Sequence, residues 1–270
     1  MRSAAPRIAL RVGVVAYLIA LVAAPVSLVF AGAIGDGWGT VVDTFTDPLV
    51  LNALRLTAIA TAWSVVLTTA FGLGVALLLV RRRFPGRHLL GALVDLPLAV
   101  SPVVVGLALV LVYRPSDGWF GAPLAAVGID VLFSTPGIVL ATAFVAMPLV
   151  VREVVPVLEA VGTEQEQAAR SLGAGAWTTF RRITLPAIRW GLIYGIVLAL
   201  ARSVGEFGAV KVVSGNLIGR TQTATLTVEE LYLDFDQERA FAVAAVLALV
   251  SIVAIVIVSA FRARTEGRIR

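Results

Sequence analysis

Six long apolar runs restrict the possible folds of this chain more than any other feature. They lie near residues 10–31, 56–80, 89–113, 136–151, 187–209 and 240–261. A helix of about 20 apolar residues crosses the hydrocarbon core of a bilayer. Hydrophobic residues make up 59% of the chain and charged residues 14%, against about 45–50% and 25% in soluble domains. Because a backbone in hydrocarbon must satisfy its own hydrogen bonds, and the runs lack strand alternation, the sequence predicts an all-α polytopic membrane protein with six transmembrane helices.

The basic residues predict the orientation. Sixteen of the 22 Lys and Arg residues fall on the amino terminus, the second loop, the fourth loop and the carboxyl tail. Cytoplasmic loops carry the excess of Lys and Arg, so we expect both termini in the cytoplasm. A cleaved signal peptide is the alternative for the first run, but that run exceeds the usual signal core of about 7–15 residues.

No linker or repeat divides the chain, and one helical bundle is the economical organisation. We expect residues 1–50 to form a cytoplasmic tail, the first span and an external loop. Residues 51–262 would form a transmembrane domain with a five-helix core and a cytoplasmic loop at 152–186. Residues 263–270 would form a second cytoplasmic tail.

The segment EQEQAARSLGAGAWTTFRRITLP, residues 164–186, is polar and charged between two apolar runs. Thr163 and Glu166 have the spacing of a capping box, which predicts a short helix. Gly173 is placed to end that helix in a left-handed conformation. A second helical piece would carry Trp177 and Phe180, and Pro186 would open the next span. The segment would either dock on a partner or lie as an elbow on lipid headgroups.

The same segment resembles the permease subunits of ATP-binding-cassette (ABC) importers. Their pattern is Glu-Ala-Ala, three residues, Gly, nine residues, Ile, one residue, Leu-Pro, and it is matched by Ala168, Ala169, Gly173, Ile183, Leu185 and Pro186. Gln167 replaces the glutamate, with Glu164 and Glu166 close by. The resemblance implies a type I ABC importer permease fold, in which coupling helices between spans 4 and 5 dock on a dimer of ATPase subunits.

Any ATP would be hydrolysed on that separate subunit, because the chain has no G-x-x-x-x-G-K-[ST] phosphate loop. We therefore expect a transport subunit that is not an enzyme, has no catalytic residue, and leaves ATP and Mg²⁺ to its partner. The chain has no cysteine, and His88 is its only histidine, so we expect no metal site.

Further blocks resemble sulfate/thiosulfate permeases of the CysW type. They are ARSVGEFGAV from residue 201, followed by VVSGN and TVEELY, together with DLPLAVSPVVVGLAL and FVAMPLVVREVVPVLE. Molybdate and tungstate permeases share GEFGA and remain the alternative cargo class. The resemblance implies a second, CysT-type permease subunit, an extracytoplasmic sulfate-binding protein and a bacterial cell membrane location. The orientation of the chain in the lipid bilayer accounts for the placement of the arginines, so we expect no nucleic acid partner.

A tetrahedral dianion requires N–H and O–H donors and no facing carboxylate. Candidates for its path are Ser101, Arg202, Ser203, Gly205, Glu206, Gly208 and Ser214. Arg202 and Glu206 are four residues apart, which predicts a pair on one helix face. That pair would either guide the anion or pack the bundle. We expect Asp95 to hydrogen-bond backbone freed by Pro97 or Pro102.

Two other classes of protein fit less well. A secondary transporter or channel needs coupling sites inside the membrane. One Asp and one Arg–Glu pair are few candidates for such sites. Such a protein would also leave the polar segment unexplained. A polytopic enzyme would need clustered reactive side chains, which the sequence does not offer.

Overall fold

The computed structural model describes the backbone of residues 5–266 and the side-chain environments of residues 10–260. In chain order the helices are α1 (Ala5–Ala33), α2 (Trp38–Thr46), α3 (Pro48–Arg81), α4 (Arg87–Ala99), α5 (Pro102–Tyr113), α6 (Gly121–Ala126), α7 (Thr135–Val161), α8 (Glu164–Ser171), α9 (Ala176–Thr179), a π-helical turn (Phe180–Thr184), α10 (Leu185–Val204), α11 (Gly208–Ser214), α12 (Ala224–Leu233) and α13 (Gln237–Glu266).

Five helical segments within the described residues are long and apolar enough to cross a membrane. They are Leu10–Ala33, Pro48–Arg81, Thr135–Val161, Ala176–Val204 and Gln237–Ala260. Helices α4 and α5 make a sixth if the pair is counted as one span. The prediction of six spans is met in this form.

The third predicted span, 89–113, is not one straight helix. Helices α4 and α5 meet at a bend of 115°. Val100 and Ser101 are extended between them, with ψ angles of 141° and 134°. Pro102 explains the break, because its ring disfavours the helical conformation of the preceding residue.

Two other span boundaries also differ from prediction. Helix α7 is 27 residues long and continues to Val161, so residues 152–161, which we had assigned to a loop, are helical. Helix α10 ends at Val204, so Glu206 lies beyond the end of the fifth span, whose predicted limit was residue 209. The predicted tail at 263–270 extends beyond the described residues.

Small and hydroxyl side chains bring α3 and α7 together in parallel. Ser64 donates to the carbonyl of Val139 (3.0 Å) and Thr68 to that of Ala143 (3.3 Å). Such bonds and small residues drive helix association in lipid, where the hydrophobic effect is absent. Helix α10 crosses the pair in the opposite direction at Gly195, where a Cβ would lie 2.9 Å from the Cα of Val150.

Polar contacts stabilise the end of the bundle at which α3 and α13 begin. Thr57 accepts a hydrogen bond from the backbone N–H of Ala224 at 2.8 Å, which ties α12 to α3. Arg239 pairs with Asp47. The hydrogen bond from that guanidinium, followed by the one from the Leu49 N–H, holds the pKa of Asp47 below its usual range.

Candidate functional site

The polar segment folds as two short helices, α8 and α9, and the π-helical turn. Gly173 has φ of +83°, and the N–H of Ala174 reaches back to the carbonyl of Ala169 at 3.0 Å. The predicted left-handed helix stop is therefore confirmed. Pro186 lies in the first turn of α10, also as predicted.

The predicted capping box does not form. Thr163 makes no side-chain cap to the backbone of α8, and its hydroxyl accepts from Nε2 of Gln167 instead (3.0 Å). Glu166 turns inward, where its Oε1 accepts from Nε of Arg81 (3.1 Å) and from the hydroxyl of Thr184 (2.9 Å). The bond to a guanidinium joins two ionised groups, whereas a backbone N–H would offer the carboxylate only a neutral donor.

Glu166 therefore anchors the segment to the spans. It is 7% exposed, and Arg81 also donates through Nη1 to the carbonyl of Leu158 at 3.0 Å. The Glu166 carboxylate thus joins α8 to the end of α3 and to the π-helical turn, and Arg81 extends the connection to the end of α7. Sequence reasoning missed Arg81 and Thr184, because Arg81 looks the same as the two arginines after it.

The π-helical turn prepares the chain for Pro186. The N–H of Leu185 bonds to the carbonyl of Phe180, five residues back. A proline inside a continuous helix lacks its N–H and collides with the carbonyl four residues earlier. The wider turn relieves that collision, so α9, the turn and α10 continue as one segment.

The outward side of the segment carries aromatic and apolar groups. Leu172 is 89% exposed and Trp177 69% exposed. The rings of Trp177 and Phe180 stack with centroids 5.7 Å apart. Glu164, Gln167 and Ala168 are also exposed, whereas Ala169, Ile183 and Leu185 are half-buried. This surface offers aromatic anchors of the kind that fill pockets on a partner.

The predicted Arg202–Glu206 pair forms, with Nη1 and Oε2 2.5 Å apart. Glu206 lies in the break between α10 and α11, and its Oε1 accepts from the N–H of Ala209 (3.1 Å). Its carbonyl accepts from the hydroxyl of Thr225 (2.9 Å). The Glu206 side chain is buried, whereas that of Arg202 is 37% exposed. Glu206 is thus a structural anchor, and the guanidinium remains accessible.

Most of the other path candidates gather around this pair. Ser203 is buried, and its hydroxyl has no partner among the described residues. A Cβ on Gly208 would lie 3.0 Å from Cβ of Pro102, which places the α4–α5 break and Ser101 beside the pair. Gly205 is exposed. Ser214 lies at the far end of α11, where its hydroxyl accepts from the N–H of Asn216.

We had expected Asp95 to hydrogen-bond the backbone near the prolines, and it does not. Its Oδ1 accepts from Nε of Arg152 at 2.9 Å. A guanidinium from the neighbouring helix α7 supplies a stronger partner than a freed backbone N–H. No group of three or more His, Cys, Asp or Glu side chains gathers as a metal site in the described part of the chain.

These features define a multi-pass helical membrane protein with an exposed aromatic and apolar surface on residues 164–186 at one end and an accessible arginine at a helix break. The family model described as "Binding-protein-dependent transport system inner membrane component" matches residues 68–270. This chain belongs to that family.

Curated relatives cover nearly the whole chain. The "Sulfate transport system permease protein CysW" of Synechocystis sp. is 47% identical over 92% of this chain and 90% of that protein. The CysW protein of Escherichia coli K12 is 43% identical over 90% of this chain and 84% of that protein. The "Sulfate transport system permease protein CysT" of Salmonella typhimurium is 38% identical over 86% of this chain and 83% of that protein.

A solved structure shares the fold. It is a bacterial alginate ABC transporter in complex with its alginate pentasaccharide-bound periplasmic protein, and it matches with a TM-score of 0.76 at 18% identity, over 97% of this chain and 95% of that chain. The predicted type I ABC importer permease fold is confirmed.

Proposed function

We propose that this chain is the CysW-type permease subunit of an ATP-driven importer for sulfate and thiosulfate. The observation that carries the proposal is the likeness to sulfate permeases over nine-tenths of the chain. The site is consistent with such a cargo, because Arg202 and nearby N–H and O–H groups can bind an oxyanion. The buried Glu206 carboxylate is occupied by the N–H of Ala209 and by Arg202.

The segment 164–186 would dock on the ATPase subunits, which bind ATP and Mg²⁺. Trp177 and Leu172 would enter a pocket on the ATPase, with Glu164, Gln167, Ala168 and Ala169 beside them. The remaining motif positions, Gly173, Ile183, Leu185 and Pro186, would set the shape of the segment. Glu166 would carry the motion of the docked segment into α3 and α10 through Arg81 and Thr184.

This docking would place α8 and α9 in the cytoplasm. The amino terminus of α1 and the carboxyl terminus of α13 would then lie in the cytoplasm as well, as the arginine distribution indicates. The terminal arginines Arg2, Arg268 and Arg270 lie outside the described residues. The protein would be a multi-pass protein of the bacterial cell membrane.

One six-span chain would supply half of a pore. A homologous CysT-type subunit would supply the other half, and an extracytoplasmic sulfate-binding protein would deliver the anion. Closure of the ATPase dimer would rock the two halves, as rigid bodies, from outward-open to inward-open. The anion would pass Arg202, Ser203, Gly205, Gly208 and Ser101, with Ser214 further along α11.

Uptake of labelled sulfate in a permease-deficient bacterium tests the proposal. We expect the complete transporter to restore uptake, thiosulfate to compete, and molybdate to compete poorly. Strains without the ATPase or the binding protein are the controls, and both should lack uptake. Competition by molybdate alone would reassign the cargo to molybdate or tungstate. Uptake that persists without the ATPase would indicate a secondary anion transporter.

A further inference from the structure

Two ion pairs cross from α4 to α7. Arg87 pairs with Glu159 (3.7 Å) near the end of the bundle that carries α8. Asp95 pairs with Arg152 (2.9 Å) further in. Arg152 precedes Leu158, the residue whose carbonyl Arg81 contacts, by six positions, or about 9 Å along a helix. Arg152 thus lies within the candidate span Thr135–Val161, and Asp95 lies on the first helix of the bent pair α4–α5.

Both side chains of this inner pair are half-exposed. Asp95 has 48% and Arg152 57% of its side chain accessible. Charged groups on transmembrane helices almost always face the bundle interior or a water-filled cavity, because exposure to acyl chains is costly. We therefore expect this face of α4 and α7 to border an aqueous space or the proposed second permease subunit.

The guanidinium of Arg152 has N–H donors that its contact with Asp95 does not use. Within the described residues, its contact with Asp95 engages Nε. Neither Nη group has a hydrogen-bond partner there. A guanidinium binds two oxygens of a planar or tetrahedral oxyanion through paired N–H groups, which suits a sulfate dianion.

The inner pair is connected to the Arg202 site through α4. Pro102 packs against Gly208, two residues after Glu206. Asp95 lies one helical turn before Ala99, where α4 ends, and the extended residues Val100 and Ser101 lead from there to Pro102. Two arginine-containing ion pairs thus flank the carboxyl-terminal half of α4.

We propose that Arg152 is a second anion-binding station, on the inner part of the path, with Asp95 as its resting counter-ion. This inference rests on the proposed oxyanion transport. A half-exposed ion pair is weak, so an arriving dianion can replace Asp95 as the partner of Arg152. When the anion leaves, Asp95 pairs again with Arg152 and cancels the charge that would hold the next anion back.

Single substitutions distinguish this station from a simple helix–helix contact. Arg152→Gln should lower the sulfate uptake rate about tenfold or more, the scale of one lost charge-assisted bond. Asp95→Asn should lower it much less, because the guanidinium remains. A purely structural pair would make the two variants equally impaired, and that result would overturn the proposal.

Charge exchange adds a second, independent readout. In the variant Asp95→Arg with Arg152→Asp the ion pair can form, but the guanidinium moves to α4, and we expect uptake to stay low. The matched control is Arg87→Glu with Glu159→Arg, a similarly exposed pair on the same two helices, which should keep uptake near wild type. Wild-type uptake by the variant with Asp95→Arg and Arg152→Asp would show that the Asp95–Arg152 pair only holds α4 and α7 together.

The amount of folded permease and its association with the ATPase are measured for each variant. If Arg152→Gln does not accumulate, Arg152→Lys replaces it, since lysine keeps the charge and loses the paired donors. That variant should fold and still take up sulfate slowly, and wild-type uptake by it would contradict the station. Suppose that the wild type carries an oxyanion other than sulfate and that Arg152→Gln still shows a larger loss than Asp95→Asn. That result would contradict the proposed sulfate cargo and support the anion-binding role of Arg152. A wild type that carries no oxyanion overturns both.

Discussion

Glu166 and Gln167 are neighbours in one short helix, yet their environments are opposite. Glu166 is buried against Arg81, and Gln167 is exposed. The importer pattern has its glutamate at the position of Gln167, so the outward surface lacks that charge. Glu166 cannot supply it, because its carboxylate is already bonded to Arg81 and Thr184. The acid available to a partner on α8 is Glu164.

Gly173 and Gly175 allow a matched test of the turn between α8 and α9. A Cβ at either residue would meet no atom within 4 Å, but only Gly173 has a positive φ, +83°. We expect Gly173→Val to strain the turn by about 1–3 kcal/mol and to lower both ATPase association and sulfate uptake. Gly175→Val should leave both unchanged, since its φ of −69° suits any residue.

Copurification of the tagged permease with its ATPase, together with uptake, measures the effect. Membrane levels of the permease should be the same in both variants. Equal ATPase association by Gly173→Val and Gly175→Val would show that the left-handed turn does not position the docking surface.

At the scale of elements, three helices meet at Val150, which is fully buried. Helix α3 approaches it through Gly72 and α10 through Gly195. Both helices rely on residues without a side chain at the contact, which allows the backbones to come close. The α3–α7–α10 unit is therefore set by steric fit rather than by long apolar side chains.

Gly195 and Gly74 test this fit. A Cβ at Gly195 would lie 2.9 Å from a backbone atom of Val150, whereas one at Gly74 would meet nothing within 4 Å. We expect Gly195→Ala to lower the free energy of unfolding by about 1–3 kcal/mol through overpacking. Gly74→Ala should be neutral or stabilise by about 0.5–1 kcal/mol, because alanine is the better helix former.

Thermal unfolding of the detergent-purified permease provides the measurement. If Gly195→Ala unfolds at the same temperature as Gly74→Ala, the closeness of α10 to α7 does not depend on that glycine.

Across the whole molecule, the two ends of the bundle differ in character. One end carries Arg81, α8 and α9, with aromatic groups facing outward. The other carries α12 and the Asp47–Arg239 pair. The arginine count predicts that the first end lies in the cytoplasm and the second outside.

Cysteine labelling tests this orientation cleanly, because the chain contains no cysteine of its own. Leu233→Cys and Pro85→Cys place thiols at exposed positions on opposite ends. We expect an impermeant maleimide to label Leu233→Cys in intact spheroplasts, and to label Pro85→Cys only after the membrane is permeabilised. The reverse pattern would place α8 and α9 outside the cell and overturn their docking on an ATPase.

The sequence by itself determined the features that depend on neighbours along the chain. Apolar runs of sufficient length became helices, Gly173 ended α8, Pro186 opened α10, and Arg202 met Glu206 four residues away. Motif spacing identified the family. Pro102 was expected to free backbone groups within the third span, but we had not predicted that it would break the span into two helices.

Only the tertiary structure decided the contacts between residues far apart in the chain. Arg81 meets Glu166 across 85 residues and Asp95 meets Arg152 across 57, and in both cases local reasoning had predicted a backbone partner. A side chain chooses its strongest available partner, and that partner is available only once the helices have packed. Packing in turn follows where small residues let backbones approach, and the apolar pattern that predicts a span does not reveal which of its faces will be buried.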